Sequence, residues 1–219
     1  MGNSVHGVKL QIVAARACRA GDPPASSLIY DRAGNRKYLT ADERRRFLGA
    51  VAEMPPDLRT FCRVLSYTGA RISEVLALTP SRIDAVARLV IVETLKKRQR
   101  GVFRAIPLPV GMLDELESVH HLSGTRGSAD LASCRIWPWC RAFAWRRIKE
   151  AMAIAGVDGP QATPKGLRHA FAVTALQGGV PITMVKRWLG HARLSTTEIY
   201  ADAIGPEEQA IAHYLWKTF

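Results

Sequence analysis

The sequence predicts a mixed, mainly α domain with one small antiparallel β-sheet. Three observations carry that expectation. Apolar residues recur at helical spacing through most of the chain after residue 40. Two β-branched runs, 88–94 and 102–108, flank a short polar turn and read as a hairpin. Apolar residues make up 47% of the 219 positions, enough for one sizeable core.

The elements follow in order. Residues 1–36 read as an N-terminal arm or linker, with a breaker cluster at Gly21-Asp22-Pro23-Pro24 and a polar run from Asp31. Residues 37–219 read as one domain. Thr40 and Glu43 have the spacing of a capping box, so a helix is expected over 41–53. Pro55-Pro56 ends it and starts another, with Leu58, Phe61, Cys62 and Leu65 on one face. Gly69 breaks that helix before Arg71. A short helix then carries Ile72, Val75 and Leu76 and stops at Pro80. The hairpin tip, Lys96 to Gly101, is strongly basic. Further helices are expected over 110–120, 139–155, 166–177, 181–189, 195–202 and 206–217, with glycine-rich breaks at 124–127, 156–159 and 178–179. Trp137, Trp139 and Trp145 are expected to fill core and pin the 139–155 helix, and Trp188 to pack beneath His191.

Charge narrows the partner. Lys and Arg number 31 against 19 Asp and Glu, a net +12, which points to a polyanion and first of all to nucleic acid. The four cysteines form no C-x-x-C pair and no histidine cluster completes a zinc site, so no metal is expected. No signal peptide is evident, and no apolar run approaches the roughly 20 residues of a membrane span. A reducing cytoplasm, with no membrane partner, fits these features.

Metal-free transfer of a phosphodiester needs a nucleophile, fixed cations on the non-bridging oxygens, and a proton donor for the leaving oxygen. Arginine suits the second task because its planar fork binds two oxygens at once and stays protonated. The C-terminal third holds such a set: Lys165, Arg168 and His169 at one helix start, His191 after Leu189-Gly190, and Tyr200. Upstream, Arg71 opens a helix just after Gly69-Ala70.

These residues carry a family resemblance. The string from Thr68 to Leu78 (T-G-A-R-I-S-E-V-L-A-L) resembles the first arginine box of tyrosine recombinases, also called phage-type integrases. Pro164 to Ala172 (P-K-G-L-R-H-A-F-A) resembles their second box. L-G-H ending at His191 and T-T-E-I-Y ending at Tyr200 resemble the third conserved position and the nucleophile. The order agrees, with 23 residues from Arg168 to His191 and nine more to Tyr200. The resemblance runs from about residue 37 to the C-terminus.

The resemblance implies a site-specific DNA recombinase. Arg71 and Arg168 would clamp the scissile phosphate, and Tyr200 would attack it to form a 3′-phosphotyrosyl bond. Lys96 of the hairpin would protonate the leaving 5′ oxygen, with Lys97 the alternative. His191 would bond the phosphate or assist proton transfer. Glu74 and His169 would orient the arginines. Lys165 departs from the usual histidine, and either a base or a phosphate-binding cation remains open for it. No cofactor is implied. The implied partners are double-stranded DNA, further copies of the chain in a tetramer on that DNA, and an accessory DNA-binding protein. The accessory protein enters because the chain resembles short members without the separate N-terminal clamp domain. The last helix, with Ile211, Ala212, Leu215 and Trp216 on one side, would dock on a neighbouring protomer or on its own core. Arg141, Arg146 and Arg147 are further candidates for DNA phosphates or the major groove.

Each residue alone has a plainer reading. Tyr200 would be an amphipathic tyrosine, Arg71 a surface ion-pair partner, Lys96–Arg100 a solvated turn and His191 a helix cap. Two other functions compete: a non-catalytic or partner-dependent DNA-binding regulator that keeps the fold, and a type IB topoisomerase, for which the chain is short.

Overall fold

The structure is a computed structural model that describes residues 29–95, 101–125, 128–201 and 216–217. The domain begins with three helices, α1 (Ala41–Ala52), α2 (Pro56–Thr68) and α3 (Ile72–Leu76). The Thr40 hydroxyl accepts from the Glu43 amide at 3.2 Å, and the Glu43 carboxylate accepts from the Thr40 amide at 2.8 Å. Both otherwise orphaned donors of the first turn are thereby satisfied. Glu43 also pairs with Arg36 and accepts from Gln161 Nε2 at 3.1 Å, which ties α1 to the loop before the second arginine box. Pro56 opens α2, and Gly69 closes it in the left-handed region at φ 59°.

An antiparallel sheet of three strands follows: β1 (Ile83–Asp84), β2 (Leu89–Glu93) and β3 (Phe103–Pro107). Val90 faces Ile106 and Val92 faces Arg104 in the β2–β3 register. The expected hairpin is therefore present, with β1 as an additional strand. Only two residues long, β1 is too short to give a period-two signal. Then come α4 (Val110–His120), α5 (Leu122–Thr125), α6 (Ala129–Ser133), α7 (Arg141–Ile154), α8 (Pro164–Gln177), α9 (Ile182–Leu189) and α10 (Ser195–Glu198). The two short helices α5 and α6 occupy a stretch that the sequence reading left without structure. The helix expected over 195–202 is the single turn α10. The hairpin tip at 96–100 and most of the helix expected over 206–217 lie outside the described residues.

Among the described residues two apolar clusters hold the domain. The larger gathers Phe47, Phe61, Leu65, Val90, Ile106, Trp137 and Ile148 from α1, α2, the sheet, the segment before α7, and α7 itself. Trp137 is buried as expected; its Nε1 donates to the Asp57 carbonyl at 2.9 Å, and its ring meets Phe61 edge-on at 5.4 Å. Trp139 packs part-buried against the same cluster. Trp145 does not fill core: it is 41% exposed, because Ala144 and Ile148 take the buried face of α7 and Trp145 sits one residue further round. The smaller cluster comprises Ile29, Tyr38, Ala172, Val173, Val185, Leu189, Ile199 and Tyr200. Among the described residues no helix is long and apolar enough to cross a membrane.

Candidate active site

The site forms where α3, α8, α9 and α10 converge. Arg71 caps α3, and its Nη1 donates to Glu74 Oε1 at 2.7 Å. Glu74 is buried, and its other oxygen accepts from Arg71 N at 2.8 Å and Arg104 Nη2 at 2.5 Å. Burial would raise the Glu74 carboxyl, but Arg104 and Arg71 hold it below its ordinary value, so it stays an anion between two cations. Arg104 also donates to the Trp188 carbonyl at 2.6 Å and to Thr94 Oγ1 at 2.9 Å. This one buried guanidinium joins β3, the start of the hairpin tip, the end of α9 and the carboxylate behind Arg71.

Arg168 lies in the first half of α8, which Thr163 caps by accepting from Gly166 N at 3.0 Å. Its Nη1 donates to the Gly69 carbonyl at 2.7 Å, and its Nη2 donates to the Leu189 carbonyl at 2.6 Å and to His191 Nε2 at 3.0 Å. The first and third motifs are thus drawn onto the second. Gly69 has to be glycine here: a Cβ would lie 2.4 Å from Phe171 Cδ1, and its φ is positive. Burial, and then the neighbouring Arg71, lower the Arg168 pKa to about 10, so it remains charged at neutral pH.

A guanidinium can only donate. His191 Nε2 is therefore the acceptor in its contact with Arg168, and the ring is neutral with its proton on Nδ1. That N–H donates to Thr197 Oγ1 at 2.9 Å. Tyr200 follows α10. Its ring stacks near His191 at 6.2 Å, and its phenolic oxygen lies 2.8 Å from His169 Nδ1. Tyr200 is 3% exposed; burial raises its pKa, while Arg168 and Arg71 pull the other way.

Arg71, Lys165, Arg168, His169, His191 and Tyr200 all border one cleft of about 780 Å³. Lys37 and Arg141 add to its cations, Trp145 forms part of the wall, and among the described residues no acidic side chain lines it. Such a cleft offers fixed positive charge to an anion and places a phenolic hydroxyl in its wall. Among the described residues no three His, Cys, Asp or Glu side chains gather as metal ligands.

The structure thus brings together five of the six expected site residues: Arg71, Lys165, Arg168, His191 and Tyr200. The sixth, Lys96, and its alternative, Lys97, lie outside the described residues. Glu74 orients Arg71 as expected. His169 contacts Tyr200 where an arginine was expected. The sequence reading missed Arg104, although the alternation with Ile106 and Leu108 places it on the inward face of β3. It also left Lys37 and Trp145 out of the site.

The fold is that of tyrosine recombinase catalytic domains. The catalytic domain of bacteriophage HP1 integrase superposes with a TM-score of 0.58 at 24% identity, over 80% of this chain and 93% of that one. A lambda integrase dimer bound to a COC′ core site gives a TM-score of 0.58 at 25% identity, over 80% of this chain and 52% of that one. The phage integrase family profile matches residues 37–204, and the chain belongs to that family. It is 35% identical over 184 residues to tyrosine recombinase XerD of Mycobacterium tuberculosis, covering 75% of this chain and 56% of that protein. The chain spans about half the length of the curated relatives it matches.

Proposed function

We propose that this chain carries the catalytic domain of a site-specific DNA recombinase that cuts and rejoins duplex DNA through Tyr200. The observation that carries this reading is the convergence of Arg71, Arg168 and Tyr200 on one cleft. The two guanidinium groups hold the non-bridging oxygens of the scissile phosphate and stabilise the charge that develops there. The phenolic oxygen of Tyr200 attacks phosphorus, a 3′-phosphotyrosyl bond forms, and the bond to the 5′ oxygen breaks. Lys96, or Lys97 beside it, gives that oxygen its proton. The phenol loses its own proton during attack, either to a neutral Lys165 amine or, where Lys165 is a further cation on the phosphate, to solvent water in the cleft. His191 keeps Arg168 aimed through Nε2. One ester replaces another, so no external energy source is needed, and the 5′ hydroxyl of a partner strand reverses the step.

Double-stranded DNA is the proposed substrate, in line with the lambda integrase dimer on its core site and with the charge of +12. The acting form is a homotetramer on paired sites, helped by an accessory DNA-binding protein. The burial of Tyr200 favours a second, partner-dependent reading, in which the tyrosine reaches the phosphate only in that assembly.

The test uses nicked suicide duplexes carrying candidate attachment sites from the gene's own neighbourhood, run on denaturing gels beside Tyr200→Phe. A slower protein–DNA band that the variant lacks is the expected result. A band that appears only after the partner is added selects the second reading. DNA binding by folded protein with no band in either case removes the recombinase proposal.

A further inference from the structure

The buried imidazole of His169 has no part in the chemistry above, yet it makes the hydrogen bond to the nucleophile. We propose that His169 is a positioning residue for Tyr200: its Nδ1 fixes the phenolic oxygen against the floor of the cleft. The inference rests on the reading of Tyr200 as the nucleophile.

Nδ1 and the phenolic oxygen lie 2.8 Å apart, and the two ring centroids are 5.4 Å apart at 51°. Both residues are buried, at 6% and 3% exposure. The other ring nitrogen, Nε2, is buried and has no hydrogen-bond partner among the described residues. A buried N–H without an acceptor is rarer in folded proteins than a buried acceptor without a donor. Once the phenol gives up its proton, only an N–H on Nδ1 can hold the oxygen, so the neutral ring acts with its proton on Nδ1. A donor there stabilises the negative charge that builds on the oxygen as it loses its proton, and leaves its remaining lone pair for phosphorus.

The same surroundings exclude a role as base. Lys165, Arg168, Lys37 and His191 all act on the imidazole electrostatically, and the phenol of Tyr200 is in direct contact. A proton accepted by His169 would create a buried cation among cations. Burial first, then Lys165 and Arg168, push its pKa down to about 3, so the ring stays neutral wherever the protein works.

Sequence explains why one helix can do both jobs. Arg168 and His169 are consecutive on α8, so their side chains leave the axis roughly 100° apart. The first reaches the Gly69 and Leu189 carbonyls, and the second reaches Tyr200. A single rigid turn thus sets the distance between the phosphate clamp and the nucleophile, which is the quantity that in-line attack is most sensitive to.

The test places 3-fluorotyrosine at position 200 and compares the wild-type chain with His169→Ala and His169→Asn, the second retaining an N–H near the Nδ1 position. Melting curves first establish that both variants fold. In His169→Ala the fluorine resonance should shift, and covalent-complex formation on the suicide duplex should fall about 100-fold, the cost of a displaced reacting group. DNA binding should be unchanged. His169→Asn should return the resonance and recover at least a tenfold share of the rate. An unchanged resonance or rate in His169→Ala, or no recovery in His169→Asn, overturns the proposal. So does a wild-type rate profile that inflects near the ordinary histidine value of about 6.5 and loses that inflection in His169→Asn, since this marks a base. If the wild-type chain gives no covalent band on any duplex, the nucleophile reading fails, while the fluorine signal still decides the contact.

Discussion

The two apolar clusters of this domain are built on different terms. The larger one, around Phe47, Phe61 and Trp137, is packed apolar surface, and the single indole N–H of Trp137 within it is satisfied by a backbone carbonyl. The smaller one, around Val173, Leu189 and Tyr200, is interleaved with charged and polar groups: Arg168 gives one N–H each to the carbonyls of Gly69 and Leu189, and His169 contacts Tyr200. In the first region burial supplies stability. In the second, burial holds a guanidinium and a phenol where water cannot screen them, which strengthens their action on an anion and raises the cost of any unpaired group. Substitutions in the two regions should therefore separate stability from chemistry.

The largest effect is expected in the larger cluster. Trp137→Ala should lower unfolding free energy by about 3–5 kcal/mol, read from the denaturant midpoint, while the folded fraction keeps its cleavage rate. Arg168→Lys should invert that pattern. Cleavage should fall about 100- to 1000-fold, or roughly 3–4 kcal/mol of transition-state stabilisation, because one ammonium cannot reproduce the fork that spans two carbonyls and His191. Its denaturant midpoint should move less than that of Trp137→Ala.

Glu43 supplies a pH test outside both clusters. Burial would raise its carboxyl, but hydrogen bonds from Arg36, the Thr40 amide and Gln161 hold it down to about 2, from an ordinary 4.5. The folded pKa is depressed, so this stability is present above 4.5 and is lost as pH falls from there toward 2. The loss should reach about 3 kcal/mol at most, and Glu43→Gln should flatten that part of the stability profile. The smallest effect is expected for Thr40→Ala, at about 1 kcal/mol for a lost helix cap, with cleavage unchanged.

The legible parts of the molecule were those with a local physical signature. The capping box at Thr40 and Glu43 located α1, and Gly69 and Gly190, both in the left-handed region, marked the helix ends that present the first and third motifs. The spacing from Arg168 to His191 and Tyr200 carried the site because α8, α9 and α10 fold back on one another. What escaped the sequence reading depended on tertiary neighbours. Two residues of β1 give no periodicity. The Trp145 ring reads as core until the buried face of α7 is known, and it lines the cleft instead. Arg104 was readable in principle, since an arginine at an inward position of a strand needs a buried partner, and Glu74 is that partner. The contact of His169 with Tyr200 joins positions 31 residues apart and has no local signature.

The central claim is that the oxygen of Tyr200 becomes the covalent link to DNA. The direct measurement is mass spectrometry of the trapped complex after nuclease and protease digestion. The account predicts a single peptide carrying a nucleotide through its 3′ phosphate on Tyr200. An adduct on any other residue, or a trapped complex without a phosphotyrosyl peptide, would contradict it.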